Sequence, residues 1–183
     1  MSSYKEIKKR LFYLIKKNAF FKKKVKLSSG RISNFYFDLR RITLDPEGGY
    51  LIAKLILRFL HKKGVKSLGG PTLGADPIVS AVAVLSHLEG ISVKAFIVRR
   101  KAKEHGLRQL IEGPSLKKKE RVILVDDVAT SGNSLIESAQ ILKRKGLIID
   151  SAIVVLDRQE GAKNNLKKEG IKLYSLFKAK EFR

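Results

Sequence analysis

Cysteine is absent from the 183 residues, so no disulfide and no thiolate metal site can form, as suits a reducing cytosol. Histidine is scarce: His61, His87 and His105 stand far apart, without metal-ligand spacing. No apolar run approaches the roughly 20 residues of a membrane span. The opening MSSYKEIKKRLFYLIKK is too charged for a secretory signal and lacks a small-residue cleavage site. A soluble, cytoplasmic protein with no membrane partner is expected. Acidic residues are outnumbered, 17 against 39 basic, for a net charge of +22. That charge suits phosphate neutralisation on nucleic acid, steering of a small polyanion into a cleft, or a general taste for lysine. The lysines are spread along the chain, so charge alone selects none of these.

What is present reads as alternating strands and helices. Ser3–Tyr4–Lys5–Glu6 resembles a capping box, and Ile7, Leu11, Leu14 and Ile15 recur at helical spacing, predicting a helix over about 3–18. Residues 24–38 read as two short strands around Ser28–Ser29–Gly30. An amphipathic helix is expected over 47–63, with Gly64 as its C-cap. A strand over 65–70, a helix over 76–88 with Pro77 in its first turn, and a strand over 92–100 follow. Residues 101–119 form a long loop or a hairpin. Strands at 121–126, 150–157 and 172–177 flank a helix at 134–145. This alternation, with nearly unbroken apolar strands, predicts an α/β protein with a parallel sheet covered on both faces. No linker, repeat or low-complexity tract divides it, and one domain over 1–183 is expected.

The stretch RVILVDDVATSGNSLIES, residues 121–138, carries the chemistry. An apolar strand meets Asp126 and Asp127, two like charges that repel unless a cation or hydrogen bonds hold them. Val128, Ala129, Thr130, Ser131, Gly132, Asn133 and Ser134 then lead into a helix. In an open parallel sheet ligands bind beyond the carboxyl ends of the strands. Small residues there let backbone N–H groups converge at a helix N-terminus, which makes a phosphate cradle. Hydroxyls of Thr130, Ser131 and Ser134 add donors. No lysine follows Gly132 as in a Walker loop, and the GxGxxG of dinucleotide folds is absent. One phosphate cradle beside two carboxylates suggests a sugar phosphate, with the carboxylates accepting from ribose hydroxyls.

VILVDDVATSGNS resembles the motif of type I phosphoribosyltransferases that binds phosphoribosyl diphosphate (PRPP). VRRKAKEHG (98–106) is similar to the catalytic loop of the orotate phosphoribosyltransferases, SSGRISNFYFD (28–38) to their N-terminal segment, GGPTLGADPIVSAVA (69–83) to their diphosphate-side loop and helix, and LDRQEGA (156–162) to their DREEG-like turn. The resemblance runs in order from about residue 25 to 165.

It implies the type I phosphoribosyltransferase fold, a central parallel five-stranded sheet flanked by helices. A small hood would come from about 1–40 and the C-terminal end, and a flexible catalytic loop from about 99–113. It implies transfer of the phosphoribosyl group from PRPP to orotate with Mg²⁺, held mainly through PRPP rather than by protein ligands. Arg99, Lys103 and His105 would contact the diphosphate, Arg100 would also bind PRPP, and Lys103, Asp126 and Asp127 would be catalytic. Residues 126–134 would hold the ribose 5-phosphate; Thr130, Arg158, Tyr36 and Phe37 would contact orotate. A homodimer sharing its loops across subunits is also implied. The chain departs from the family pattern at Arg100, commonly lysine, at Lys101, often glutamate, and at Ser28 and Gly74, where some members place a lysine towards PRPP.

Plainer readings exist for several of these residues. The loop could be a solvated charge run, Arg158 a surface partner of Asp157 or Glu160, and Tyr36 and Phe37 ordinary strand packing. Transfer to another base, or a PRPP-sensing regulator, are the alternative functions. No helix-turn-helix appendage or concentrated basic arm is present, so nucleic acid is not an expected partner.

Overall fold

Along Arg121–Ala129 and Ile148–Asp157, alternate side chains enter two different cores. Ile123, Val125, Ile153 and Val155 join one; Val122, Leu124, Ala152 and Val154 join the other. A strand sends successive residues to opposite faces, so an unbroken apolar run marks a strand covered on both sides.

The computed structural model describes residues 3–26, 32–99 and 109–183. The large sheet contains β5 (Ser67–Pro71), β6 (Lys94–Val98), β7 (Ile111–Glu112), β8 (Arg121–Ala129), β9 (Ile148–Asp157) and β10 (Leu173–Lys178), in the order β10-β9-β8-β5-β6-β7. The first five in that order are parallel, as expected. An antiparallel sixth strand is added, because the chain returns through 109–112 and pairs β7 with β6, Val98 opposite Ile111. The first core is closed by α1 (Tyr4–Asn18), α3 (Pro46–Lys63) and α4 (Asp76–Leu88); the second by α5 (Asn133–Arg144) and α6 (Ala162–Lys168). Among the described residues no helix is long and apolar enough to cross a membrane.

Helix ends follow the local signals. Ser3 and Glu6 form the reciprocal capping box of α1. Asp45 accepts from the Gly48 N–H at the start of α3, and Gly64 ends that helix at φ 61°. Two further features differ from expectation. β8 runs through Asp126 and Asp127 to Ala129, because β9 is long enough to pair Val128 with Leu156 and Ala129 with Asp157. The short helices α2 (Arg40–Thr43) and α6 lie where no helix was foreseen.

The N-terminal segment forms two small antiparallel pairs, β1 (Phe20–Phe21) with β4 (Tyr36–Phe37) and β2 (Val25–Lys26) with β3 (Ile32–Ser33). Phe12, Phe20, Phe37 and Phe177 pack around Phe182, which lies in the last turn, Ala179–Phe182. This aromatic cluster ties the N-terminal segment to the C-terminal end.

Candidate active site

The chain leaves β5 through α4 towards β6, then crosses back to place β8 on the other side of β5. Helices α4 and α5 therefore depart on opposite faces, and a crevice opens between the carboxyl ends of β5 and β8. A cleft of two lobes lies there. One, of about 540 Å³, is lined by residues 36–40, 71–74 and 126–128, and by Thr130, Ser134 and Arg158. The other, of about 490 Å³, is lined by Asp126 and residues 128–135 and 137. Asp126, Val128, Thr130 and Ser134 border both lobes.

The adjacent carboxylates are held by backbone and by charge. The Asp127 N–H donates to Asp126 Oδ1 (2.9 Å), and the Val128 N–H donates to Asp127 Oδ1 (2.7 Å). Burial pushes the Asp127 carboxyl above its usual range. The Val128 N–H, a hydrogen bond with the Asp126 side chain and the positive charge of Arg40 oppose that push without cancelling it. Gly74 closes the carboxylates in: a Cβ there would stand 2.1 Å from Asp126 Oδ1 and 2.6 Å from Asp127 Oδ1. The backbone at residue 74 can approach the pair this closely because no side chain intervenes.

The phosphate-type loop is braced from behind by α6. The Ala162 N–H donates to the Thr130 carbonyl (3.1 Å), and Asn165 Nδ2 donates to the Ser131 carbonyl (2.9 Å). In a trans peptide the carbonyl and the next N–H point in opposite directions. Holding those carbonyls against α6 turns the N–H groups of Ser131 and Gly132 away from it, towards the cleft. Gly132, at φ 82°, is the N-cap of α5, and no side-chain cap occupies that helix end. Oriented N–H groups and the helix dipole together favour an anion here.

Arg158 starts the turn that leads into α6 and is almost fully buried. Its Nε donates to Glu160 (2.8 Å), its guanidinium lies near Ser33 Oγ (3.3 Å) and over the Phe35 ring, and its N–H donates to the Ala129 carbonyl (2.9 Å). The Glu160 partnership considered from sequence is present, yet Arg158 still lines the cleft. One short turn thus carries a buried guanidinium and braces the phosphate loop.

The structure brings together Tyr36, Phe37, Asp126, Asp127, Val128, Thr130, Ser134 and Arg158 in one lobe, and Ala129 and Ser131–Asn133 in the adjoining one. Phe37 is mainly packing, 4% exposed and set against Phe20, Phe35 and Phe182. Arg99 is not in the cleft of its own chain. It pairs with Glu112 (3.6 Å) across the β6–β7 hairpin and faces a small recess beside α5. Arg100, Lys103 and His105 lie outside the described residues. Sequence reasoning missed Arg40, Asp38 and Asn165. Asp38 ends the quoted segment SSGRISNFYFD and Arg40 stands two residues beyond it, so both could have been suspected; nothing local marks Asn165.

The description of the phosphoribosyl transferase domain matches residues 70–180. Over 156 residues, 85% of each chain, the sequence is 44% identical to the orotate phosphoribosyltransferase of Aquifex aeolicus. The fold superposes with TM-score 0.83 and 33% identity on the orotate phosphoribosyltransferase of Mycobacterium tuberculosis in complex with Fe(III) dicitrate, over 96% of this chain and 98% of that one. It superposes with TM-score 0.79 and 31% identity on the PRPP complex of the Mycobacterium tuberculosis enzyme, over 96% and 98%. With its two-lobed cleft at the sheet's switch point, the chain belongs to the phosphoribosyl transferase family and, within it, to the orotate phosphoribosyltransferases.

Proposed function

We propose that this chain transfers the 5-phosphoribosyl group of PRPP to orotate, giving orotidine 5′-phosphate and diphosphate for pyrimidine nucleotide synthesis in the cytoplasm. The observation that carries the reading is the cleft itself: a braced phosphate loop, a carboxylate pair and a buried guanidinium share one continuous wall. The 5-phosphate sits on the N–H groups of residues 131–134. Asp126 and Asp127 accept from the ribose hydroxyls. The base lies towards Thr130, Tyr36 and Arg158, whose planar fork suits a carboxylate. The C1–O bond breaks with its electron pair leaving on diphosphate, the C1–N bond forms to the orotate ring nitrogen, and the proton of that nitrogen is released. The carboxylate pair stabilises positive charge developing on the ribosyl ring, and loop cations stabilise the leaving diphosphate.

The residues fit Mg²⁺ carried in by the substrate. Among the described residues no cluster of three or more acidic or histidine side chains could hold a metal. Two adjacent carboxylates plus substrate oxygens are an ordinary Mg²⁺ environment. When bound, the ion supplies positive charge beside the diphosphate. The cleft needs it: its described lining offers Asp38, Asp126, Asp127 and Glu137 against Arg40 and Arg158. The remaining cations are Arg99, Arg100, Lys103 and His105, with Lys103 the main catalytic contributor. Since Arg99 lies off its own cleft, these residues act across a homodimer, each loop completing the partner's site. The N-terminal strands and the last turn form the hood beside the base.

The direct test follows the loss of orotate absorbance on adding PRPP and Mg²⁺. Turnover is expected, abolished by a chelator and sharply reduced in Lys103→Ala. Inert orotate with consumption of adenine or uracil would overturn the substrate assignment.

The brace from α6 has its own consequence. Asn165→Ala removes one hydrogen bond, worth about 1 kcal/mol, so ribose 5-phosphate should bind about fivefold more weakly. Titration calorimetry checks this, and unchanged affinity would show that the loop keeps its shape unaided.

A further inference from the structure

We infer that Arg40 is a diphosphate-binding residue of this subunit. The inference rests on the reading of the cleft as a phosphoribosyltransferase site. Among the described residues lining either lobe, the cations are Arg40 and Arg158. Arg158 is 4% exposed and engaged by Glu160, Ser33 and Phe35. Arg40 is exposed while its backbone is fixed. It opens α2, which is anchored by buried Leu39 and Ile42 and by hydrogen bonds from the Thr43 N–H to the Leu39 carbonyl (2.8 Å) and from the Leu44 N–H to the Arg40 carbonyl (3.1 Å).

Its position selects the ligand. The charge of Arg40 acts on Asp127, and the same carboxylate lies against the backbone of Gly74. Arg40 lines the same lobe as Thr72–Gly74. The 5-phosphate is taken by the loop before α5, and the base lies towards Arg158. The anion left for the Arg40 side is the diphosphate, whose negative charge grows as the C1–O bond breaks. Neither Ser28 nor Gly74 can supply a cation to that group. A guanidinium reaching two diphosphate oxygens also matches the geometry that makes arginine the usual choice for phosphate recognition.

Two half-ligands test the assignment. Ribose 5-phosphate and Mg²⁺-diphosphate are titrated separately into the full chain, its Arg40→Ala variant and its Arg40→Lys variant, with thermal melts as a check on folding. Arg40→Ala is expected to weaken diphosphate about tenfold and leave ribose 5-phosphate within twofold. Arg40→Lys keeps the charge but not the fork and should fall between. An equal loss for both ligands would mean that Arg40 acts through Asp127, and would overturn the diphosphate contact. Unchanged diphosphate affinity in Arg40→Ala would overturn it too, while leaving the site reading intact if ribose 5-phosphate still binds. Failure of the unsubstituted chain to bind ribose 5-phosphate would instead overturn the site reading and the assignment with it.

Discussion

Asp127→Asn is expected to lower kcat/KM about 100-fold while raising the melting temperature. The two effects share one cause. Burial holds the Asp127 carboxyl above its usual range, so its ionised form is disfavoured in the folded chain. Asn keeps an oxygen for the Val128 N–H but carries no charge. On the ribose contact proposed for Asp127, the loss of activity would reflect charge-assisted hydrogen bonds, worth about 1.5–3 kcal/mol each. The sign of the stability effect follows from linkage. Below the ordinary carboxylate pKa the group is neutral in folded and unfolded chains alike, and no penalty exists. As pH rises through the ordinary value, the unfolded chain ionises first and the native state loses stability, until pH passes the raised folded value. The melting advantage of the variant should therefore be small in acid, grow across that window and then level off. Melts from pH 3 to 8 beside steady-state kinetics decide it; a variant that melts lower at neutral pH would mean that the charge is compensated.

Gly70→Ala should destabilise the fold by about 3–5 kcal/mol, near the upper end for a single substitution. A Cβ at residue 70 would stand 1.9 Å from the Val125 carbonyl oxygen and 2.8 Å from Ala75 Cβ. Neither obstacle is the end of a flexible side chain, so β5 and β8 must move apart. β5 lies between β8 and β6, so there is no free edge towards which to shift. For a chain of this size the melting temperature should drop by about 10 °C. Val125 directly precedes the carboxylate pair, so activity should be lost even at temperatures where the variant is folded. A soluble variant with normal kinetics and an unchanged melt would contradict the packing described for this strand.

The two effects differ in how far they can be read from sequence. VILVDD announces both the strand and the acidic pair, because apolar continuity and adjacent charges are local facts. The loop Ala129–Ser134 is equally legible, since small residues before a helix are a local signature. What Gly70 and Gly74 must chiefly avoid is not local: the nearest obstacle to each lies on β8, some fifty residues further along the chain.

By itself the sequence determined the alternation of strands and helices, the carboxylate pair, the loop that follows it and the likeness to a known family. These depend on period, composition and neighbours in the chain. Tertiary structure decided how the pair is tolerated and how the loop is aimed. The charge of Arg40 acts on Asp127 only because the fold brings α2 to the cleft, and Asn165 reaches Ser131 only because α6 folds behind the loop. It also decided that β8 continues beyond the aspartates, since the ladder is set by the length of its partner β9. Hydrogen bonds and charges act through space, over a few ångströms, between residues that chain order leaves far apart.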